Sequence, residues 1–231
     1  LSLSKNLPDQ IKLANLSSDP ENYILNQGMI ALDRLDHKFL VELYNQIAQS
    51  TAYYQIVSDQ SILSSVNCLL GREENSNLYL NSMGVRMDTP NITPFLLGWH
   101  RDDNSNIKNS RFIQFWAPVT QSLDTITGGL YIIEGSHSKK IETTDSENEK
   151  KKLKNNKPIR TPYNTEIKGN YEKSLERHLT FNLGQVLFFD KSLMHKSPIN
   201  RNKDKMRYVL IAFYHDLNNE RWEFQAINHK N

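Results

Sequence analysis

A histidine and an aspartate stand two residues apart in the stretch GWHRDDNS, at His100 and Asp102. On an extended strand, residues i and i+2 project to the same side, so an imidazole nitrogen and a carboxylate oxygen can reach one ion while Arg101 points away. A His-x-Asp pair also occurs by chance, and a surface turn with a hydrogen-bonded histidine would explain it equally well. The pair therefore predicts a metal site only if a third ligand joins it.

His195 is the strongest candidate for that third ligand among the seven histidines, because it follows the apolar stretch GQVLFFD and precedes another predicted strand. His215 ends a predicted strand and stays open as an alternative, whereas His137 closes the turn EGSH, where a structural hydrogen bond is expected. Two histidines and one carboxylate form the facial ligand set of non-haem Fe(II) oxygenases. Zinc would bind the same set and, with a bound water, would give a hydrolytic site.

An arginine favours the oxygenase interpretation, because a 2-oxo diacid needs a partner for its far carboxylate. Arg207 opens the otherwise apolar stretch MRYVLIAFY, where a charge is costly unless it is paired. Arg201 lies in the polar turn NRNKDK, where a solvated charge is expected. We therefore predict that Arg207, and not Arg201, holds the carboxylate of a 2-oxo diacid.

The elements that must position these residues change in character near residue 78. Before it, apolar residues recur at helical spacing in LDHKFLVELYNQIAQS and SDQSILSSVNCLLG, the second capped by Ser58 or Asp59 and ended by Gly71. After it come short apolar or alternating runs separated by turns: LYLNSMGVRM, RFIQFWAPV, GGLYIIEG, GQVLFFD and MRYVLIAFYH. This pattern predicts a mainly β fold, with helices packed on antiparallel sheets that close into a sandwich or jelly roll.

We predict a single domain over residues 1–231, with a helical part at about 1–77 and a β core at 78–215. The core is interrupted at 138–177 by a polar, lysine-rich insertion that includes TTDSENEKKKLKNNKP. Such a long loop is either a lid over a pocket or plain solvated surface, and the sequence leaves both open.

Composition excludes several classes of function. The formal net charge of +2 gives no reason to expect a nucleic acid or an anionic membrane as partner. The single cysteine, Cys68, forms no internal disulfide, and no Cys-x-x-Cys pair exists to hold structural zinc. The apolar runs are too short to span a membrane, and LSLSKNLPDQ lacks the apolar core of a signal peptide, so we expect a cytoplasmic location.

Five motifs, taken in order, resemble those of the phytanoyl-CoA dioxygenase family over roughly residues 78–215: WHRD, FWAPV, GGLYIIEGSH, GQVLFFDKSLMHKSPIN and MRYVLIAFY. The resemblance implies a double-stranded β-helix, a cupin-like jelly roll. It also implies an Fe(II)- and 2-oxoglutarate-dependent dioxygenase that uses O2 to hydroxylate an unactivated C–H bond of a small molecule, with release of succinate and CO2. The residues it implies are His100, Asp102 and His195 as iron ligands, Arg207 and Ser197 on the distal carboxylate of 2-oxoglutarate, and Trp116 beside this co-substrate.

Two positions depart from the family pattern. The family commonly has Pro-Gly-Ser-His where this chain has Glu134–His137, and glycine where it has Lys196. Asp102 is intact, whereas halogenating relatives replace this carboxylate, so hydroxylation, desaturation or cyclisation is expected.

The substrate is the least determined part of the prediction. Arg86 and Tyr131 are candidate substrate contacts, with Tyr79 and Met87 as further possible pocket walls. An inward-facing Arg86 would favour an anionic substrate. Two other functions stay open: a cupin-like module that binds a metal or a sugar without turnover, and an oxygenase that acts on a protein side chain.

Overall fold

The computed structural model describes residues 19–73, 78–91, 98–102, 107–108, 110–139, 143–145, 165–167, 171–217 and 223–224. Residues 1–18 and most of the predicted insertion at 138–177 lie outside this part of the chain.

Helices make up the N-terminal part. They are α1 (Pro20–Tyr23), a π-helical segment (Ile24–Gly28), α2 (Met29–Leu35), α3 (His37–Ile47), α4 (Thr51–Val57) and α5 (Gln60–Leu70). The ends of α5 are those predicted, because the Asp59 side chain accepts a hydrogen bond from the Ser61 N–H and Gly71 adopts a left-handed conformation. Three details differ from the sequence pattern: the helical segments between Pro20 and Leu35 were not predicted, nor was α4, and Phe39 in α3 is 38% exposed and not part of the core.

Strands make up the rest of the described chain. They are β1 (Leu78–Asp88), β2 (Ile107–Lys108), β3 (Arg111–Pro118), β4 (Leu130–Ile133), β5 (Thr143–Asp145), β6 (Thr165–Ile167), β7 (Glu176–Leu179), β8 (Leu187–Asp190), β9 (His195–Lys196), β10 (Arg207–Asp216) and β11 (Glu223–Phe224). Four strands form a larger antiparallel sheet in the order β1-β10-β3-β8, and three form a smaller antiparallel sheet in the order β7-β4-β9. The mainly antiparallel β fold with N-terminal helices is confirmed.

The two faces of the larger sheet have different neighbours, because successive side chains of a strand point to opposite sides. Its outer face packs against the helices in an apolar cluster that includes Met87, Phe115 and Leu210 together with Leu40 and Val66. Its inner face packs against the smaller sheet. That second cluster comprises Trp116, Leu123, Leu130, Phe181, Phe189, Leu193 and Val209. The inner face is the one from which the candidate site is built.

Within the predicted insertion, β5 and β6 pair with each other, and a 3-10 turn at Lys173–Leu175 leads into β7. Because β7 begins at Glu176 and pairs with β4, the insertion ends before residue 177. None of the described helices is long and apolar enough to cross a membrane.

Candidate metal centre

His100 and His195 are held side by side by backbone pairing. The N–H of each donates to the carbonyl of the other at 3.0 Å, so the segment around His100 extends the smaller sheet beyond β9. Because directly paired residues share a face, the two imidazoles lie on the same side, with ring centroids 4.2 Å apart. The edge of the inner-face ring of Phe189 contacts His195 at 4.9 Å between centroids.

Asp102 completes the group. Its N–H donates to the Lys191 carbonyl at 3.0 Å, which fixes the extended segment two residues beyond His100. Its carboxylate oxygens lie 4.0 Å from His100 Nε2 and 3.3 Å from His195 Nε2. Within the described part of the chain, these three residues are the one group whose ligand atoms, all within 4.8 Å of one another, could hold a metal ion.

Hydrogen bonds orient both imidazoles for metal binding. Nδ1 of His100 lies 2.8 Å from the Gly98 carbonyl, and Nδ1 of His195 lies 2.9 Å from the Leu193 carbonyl. A carbonyl only accepts, so each Nδ1 carries a proton and donates it, which leaves each Nε2 as the atom that faces Asp102 and would ligate a metal. Neutral imidazoles with this second bond are the usual form of metal-ligating histidine.

Burial and neighbouring charges also favour protonation states that suit metal binding at His100 and Asp102. Burial, and next the neighbouring His195, lowers the pKa of His100 to about 4, although Asp102 opposes the shift. Burial alone would raise the pKa of Asp102, but His195, His100 and a hydrogen bond from the Gln114 side chain hold it below its usual value. At neutral pH the site therefore offers a neutral imidazole at His100 and a carboxylate at Asp102 to a cation.

Arg207 lies on the inner face of the larger sheet and is fully buried, with 1% exposure. Its Nε donates to Asp88 Oδ2 at 2.9 Å, and its Nη1 donates to the carbonyls of Pro198 and Gly128 at 2.8 and 3.1 Å. Gly128 has a φ of +84°, and a Cβ there would lie 2.6 Å from Nη1, so the close approach requires glycine. Nη2 is 2.9 Å from Asp88 Oδ2 but makes no well-aligned hydrogen bond.

A second arginine shares the same carboxylate. Arg86 lies opposite Val209, and Asp88 lies opposite Arg207, so all of these face inward. Arg86 Nε donates to both Asp88 oxygens at 2.9 and 3.0 Å, and Nη1 lies 3.3 Å from the Ser197 hydroxyl. Burial opposes ionisation of Asp88, but the two guanidinium groups hold its pKa below the usual value. Arg86, Asp88 and Arg207 together carry a net charge of +1.

Other predicted residues fall on either side of the sheets. Trp116 is buried on the inner face, opposite Ile211, and packs against Phe181 at 4.7 Å. Met87, by contrast, lies on the outer face among the helix-packing residues. Tyr131 pairs with Lys196 while its neighbour Ile132 pairs with His195, so Tyr131 lies on the face of the smaller sheet that points away from the imidazoles.

Lys196 shares that outward face. Its Nζ lies 4.5 Å from the ring centroid of Trp99 and 5.2 Å from that of Tyr131, which satisfies its charge by cation–π contacts. Tyr131 also stacks on His178 at 4.2 Å. The geometry therefore gives Tyr131 and Lys196 no contact with the metal side of the sheet, whereas Arg86 faces it.

The alternative histidines are excluded from the ligand group. His215 is buried at the end of β10, where its Nδ1 lies 2.7 Å from the Ser110 hydroxyl. His137 is exposed in the turn after β4, and Arg201 is exposed between β9 and β10.

Two inner-face residues were missed by sequence reasoning. Asp88 joins both arginines, and Gln114 donates to Asp102. Each carried a signal: Asp88 is two residues after Arg86, and Gln114 is the one amide in the apolar run RFIQFWAP, two residues before Trp116. Neither could be interpreted without the strand pairing that turns them inward.

Comparison with known proteins gives a family and a fold. The family model of phytanoyl-CoA dioxygenase matches residues 16–209. No curated protein sequence matches the chain significantly.

Solved structures with a similar fold have low sequence identity. ThoJ, a non-heme monooxygenase, is 17% identical with a TM-score of 0.58, covering 87% of this chain and 68% of its own. The epimerase SnoN, solved with Fe3+, alpha ketoglutarate and nogalamycin RO, is 13% identical with a TM-score of 0.52, covering 84% and 81%. EvdO2 from Micromonospora carbonacea var. aurantiaca, solved with 2-oxoglutarate, is 13% identical with a TM-score of 0.50, covering 74% and 64%, so the chain spans less than two thirds of it.

Proposed function

The chain belongs to the phytanoyl-CoA dioxygenase family, and from this premise we propose that it is an Fe(II)- and 2-oxoglutarate-dependent oxygenase whose iron is held by His100, Asp102 and His195. The observation that carries the proposal is the orientation of the ligands: two Nε2 atoms and one carboxylate converge, while both Nδ1 atoms donate to backbone carbonyls. Imidazole and a single carboxylate suit Fe(II) and leave coordination positions open on one side. We further propose that the two sheets form the double-stranded β-helix of the family.

The charges of the inner face support a dianionic co-substrate. A divalent ion and Asp102 together carry a net charge of +1, and so do Arg86, Asp88 and Arg207. A 2-oxo diacid carries two negative charges, one at each end, so each of its carboxylates meets one net positive charge. This match favours 2-oxoglutarate over a monoacid, because a buried charge is stable only when it is paired.

Arg207 and Ser197 are the proposed contacts of the distal carboxylate. Among the residues that the structure describes, the buried Arg207 Nη2 group has no well-aligned acceptor, as expected of a donor that binds an anion. Ser197 is two residues after His195, and its hydroxyl lies beside Arg86, on the side where the carboxylate would lie. Trp116 would form an apolar wall beside the co-substrate and help to exclude water.

When bound, iron with 2-oxoglutarate and O2 supplies the oxidising power, and the co-substrate is converted to succinate and CO2. The residues of the chain orient the reactants and keep the pocket dry. Because Asp102 occupies the carboxylate position, no place is left for a halide ligand. We therefore propose hydroxylation of an unactivated C–H bond of a small molecule.

The direct test is anaerobic addition of Fe(II) and then 2-oxoglutarate to the purified chain. A bidentate 2-oxo acid on Fe(II) gives a visible charge-transfer band, and we expect this band in the wild type. A cupin-like module that only holds a metal would give no band with 2-oxoglutarate, and that result would reject the proposal.

A further inference from the structure

Besides Arg207 Nη2, two buried polar atoms on the inner face have no hydrogen-bond partner among the residues that the structure describes: Oε1 of Gln114 and Nε2 of His215. Gln114 is 3% exposed and His215 is fully buried. Leaving such groups unsatisfied is costly, so native proteins rarely keep them without a reason. The remaining hydrogen-bonding atoms of these two side chains fix their orientation.

Gln114 is oriented by a metal ligand. Its side chain forms a hydrogen bond that helps to lower the pKa of Asp102. A carboxylate only accepts, so the Gln114 amide must direct Nε2 toward Asp102 and Oε1 away from it. Oε1 is therefore an acceptor that lies next to the metal centre and needs a donor.

His215 is oriented by Ser110, whose buried hydroxyl lies 2.7 Å from Nδ1. The Phe112 ring packs against the imidazole at 4.5 Å between centroids. With Nδ1 engaged, Nε2 is the atom left for another partner. It is a donor or an acceptor according to the tautomer, which the serine hydroxyl permits in either form.

Strand pairing places the two residues next to each other. Gln114 lies opposite Phe213 and opposite Phe189, and Phe112 lies opposite His215. Gln114 and His215 are thus diagonal neighbours on one face of the sheet, within reach of one ligand group. The same face carries Phe189, which contacts His195.

We infer that Gln114 and His215 form a substrate subsite that binds a neutral hydroxyl group beside the reacting C–H bond. This inference rests on the proposed function, since it names the substrate class of the same site. A hydroxyl donates to Oε1 and, because it also accepts, complements Nε2 in either tautomer. A carboxylate only accepts, so it would leave Oε1 unsatisfied and would lie close to the Asp102 charge.

Both atoms are shielded from water, so a ligand reaches them when a neighbouring side chain moves. Phe213 lies opposite Gln114 and two residues before His215, on the same face. Its ring packs on that of Phe112 at 5.1 Å between centroids, and we infer that a ligand reaches the two polar atoms when the Phe213 ring rotates.

The test compares three probes of one carbon frame on the metal-free chain: cyclopentanol, cyclopentanone and cyclopentanecarboxylate. The ketone lacks the donor that Oε1 needs. A single neutral hydrogen bond gives a preference of roughly fivefold for the alcohol, measured by ligand-observed NMR titration. The carboxylate should bind least.

Three variants locate the preference. Gln114→Met should abolish the preference of alcohol over ketone, and His215→Phe should weaken binding of the alcohol. His178→Phe is the matched control, because His178 also has a buried, unpartnered Nε2 but lies on the outward face beside Tyr131. Circular dichroism checks folding, and if Gln114→Met is unfolded, the His215→Phe result decides.

Equal binding of alcohol and ketone, tighter binding of the carboxylate, no binding of any probe, or a preference that survives in Gln114→Met would each overturn the inference. Because these titrations need neither iron nor 2-oxoglutarate, their failure is distinct from a missing charge-transfer band, which bears on the proposed function alone.

Discussion

The two faces of the larger sheet come from the same strands but have opposite chemistry. In β10, the outward residues Tyr208, Leu210, Ala212 and Tyr214 are buried against the helices. The alternate, inward positions include Arg207 and His215, both buried and both polar. The outward side chains of β10 therefore stabilise the fold, and its inward side chains form part of the site.

The difference shows that buried polar atoms without partners, which destabilise the fold, are concentrated on the face that forms the site. On the outer face, even the polar tips are satisfied, as where the hydroxyl of Tyr214 donates to the Val57 carbonyl at 2.7 Å. On the inner face, by contrast, Gln114, His215 and Arg207 each keep a polar atom without a well-aligned partner in the described part of the chain. We expect inner-face substitutions to change ligand binding more than folding, and outer-face substitutions to do the reverse.

The largest effect should come from the metal ligands. Asp102→Asn and His195→Ala should remove the charge-transfer band and lower 2-oxoglutarate turnover by more than about 10²-fold, the upper range for loss of a supporting residue. Unfolding by urea should change little, since neither substitution touches the helix-packed cluster. A variant of either residue that retained full turnover would show that the metal is bound elsewhere, and the exposed His137→Ala is the control.

The two arginines that follow His195 along the chain, Arg207 and Arg201, give the next effect. Arg207→Ala leaves Asp88 buried with one partner fewer, which costs on the order of 3–5 kcal/mol of stability, and it should weaken 2-oxoglutarate binding at least about tenfold. Arg201→Ala removes an exposed charge and should cost about 0–1 kcal/mol without changing the affinity. Isothermal titration and urea unfolding measure the two quantities. Equal effects of the two substitutions would contradict the assignment of Arg207.

Arg207 is thus the residue at which effects on ligand binding and on stability are hardest to separate. Its hydrogen bonds to Asp88, Gly128 and Pro198 also hold three chain segments together. Ser197→Ala sharpens the comparison. Since Ser197 makes no comparable set of bonds, it should weaken 2-oxoglutarate binding by roughly fivefold, the worth of one hydrogen bond, and leave unfolding nearly unchanged.

The sequence predicted the features that depend on neighbours along the chain. The i, i+2 spacing placed His100 and Asp102 on one side, and the caps Asp59 and Gly71 located both ends of α5. It failed at α4, whose residues TAYYQIV are mostly aromatic or β-branched and favour strands. Tertiary packing overrides that preference, because Tyr53 and Val57 are buried and the Tyr53 hydroxyl donates to the Ile211 carbonyl.

Features that depend on strand register were beyond the sequence. Whether Tyr131 or Ile132 faces the metal is decided by which of them pairs with His195, and a shift of one residue would exchange them. The link from Asp88 to Arg207 likewise exists only through the pairing of β1 with β10. These are the positions at which the sequence left the predicted site incomplete, since it could not show that Tyr131 lies on the face away from the imidazoles.

On the outer face, Leu210→Ala should have the opposite profile to the metal-ligand variants. Leu210 is 4% exposed in the helix-packed cluster, so its truncation should cost about 2–5 kcal/mol of unfolding free energy. The charge-transfer band of the folded protein should be unchanged. Leu183→Ala, at a side chain that is 55% exposed, is the control and should stay within about 0.5 kcal/mol. Loss of the band without loss of stability would break the distinction between the faces.

The last expected effect is the pH dependence that His215, on the inner face, gives to stability. Burial, and next the charge of Lys191, lowers the pKa of His215 to about 4. The folded chain therefore holds this imidazole neutral between pH 6.5 and 4, whereas the unfolded chain protonates it, so stability falls as pH falls through that window.

A pH change from 6.5 to 5 should remove about 2 kcal/mol through His215 in the metal-free protein, since one pKa unit corresponds to about 1.4 kcal/mol. In His215→Phe this contribution is absent, because the ring has no titrating nitrogen. Urea unfolding of both proteins at pH 7, 6 and 5 measures the difference: between pH 7 and pH 5 the wild type should lose about 2 kcal/mol more stability than His215→Phe. Parallel curves would mean that His215 is as easily protonated in the folded chain as in the unfolded one, and that the inner face does not shield it.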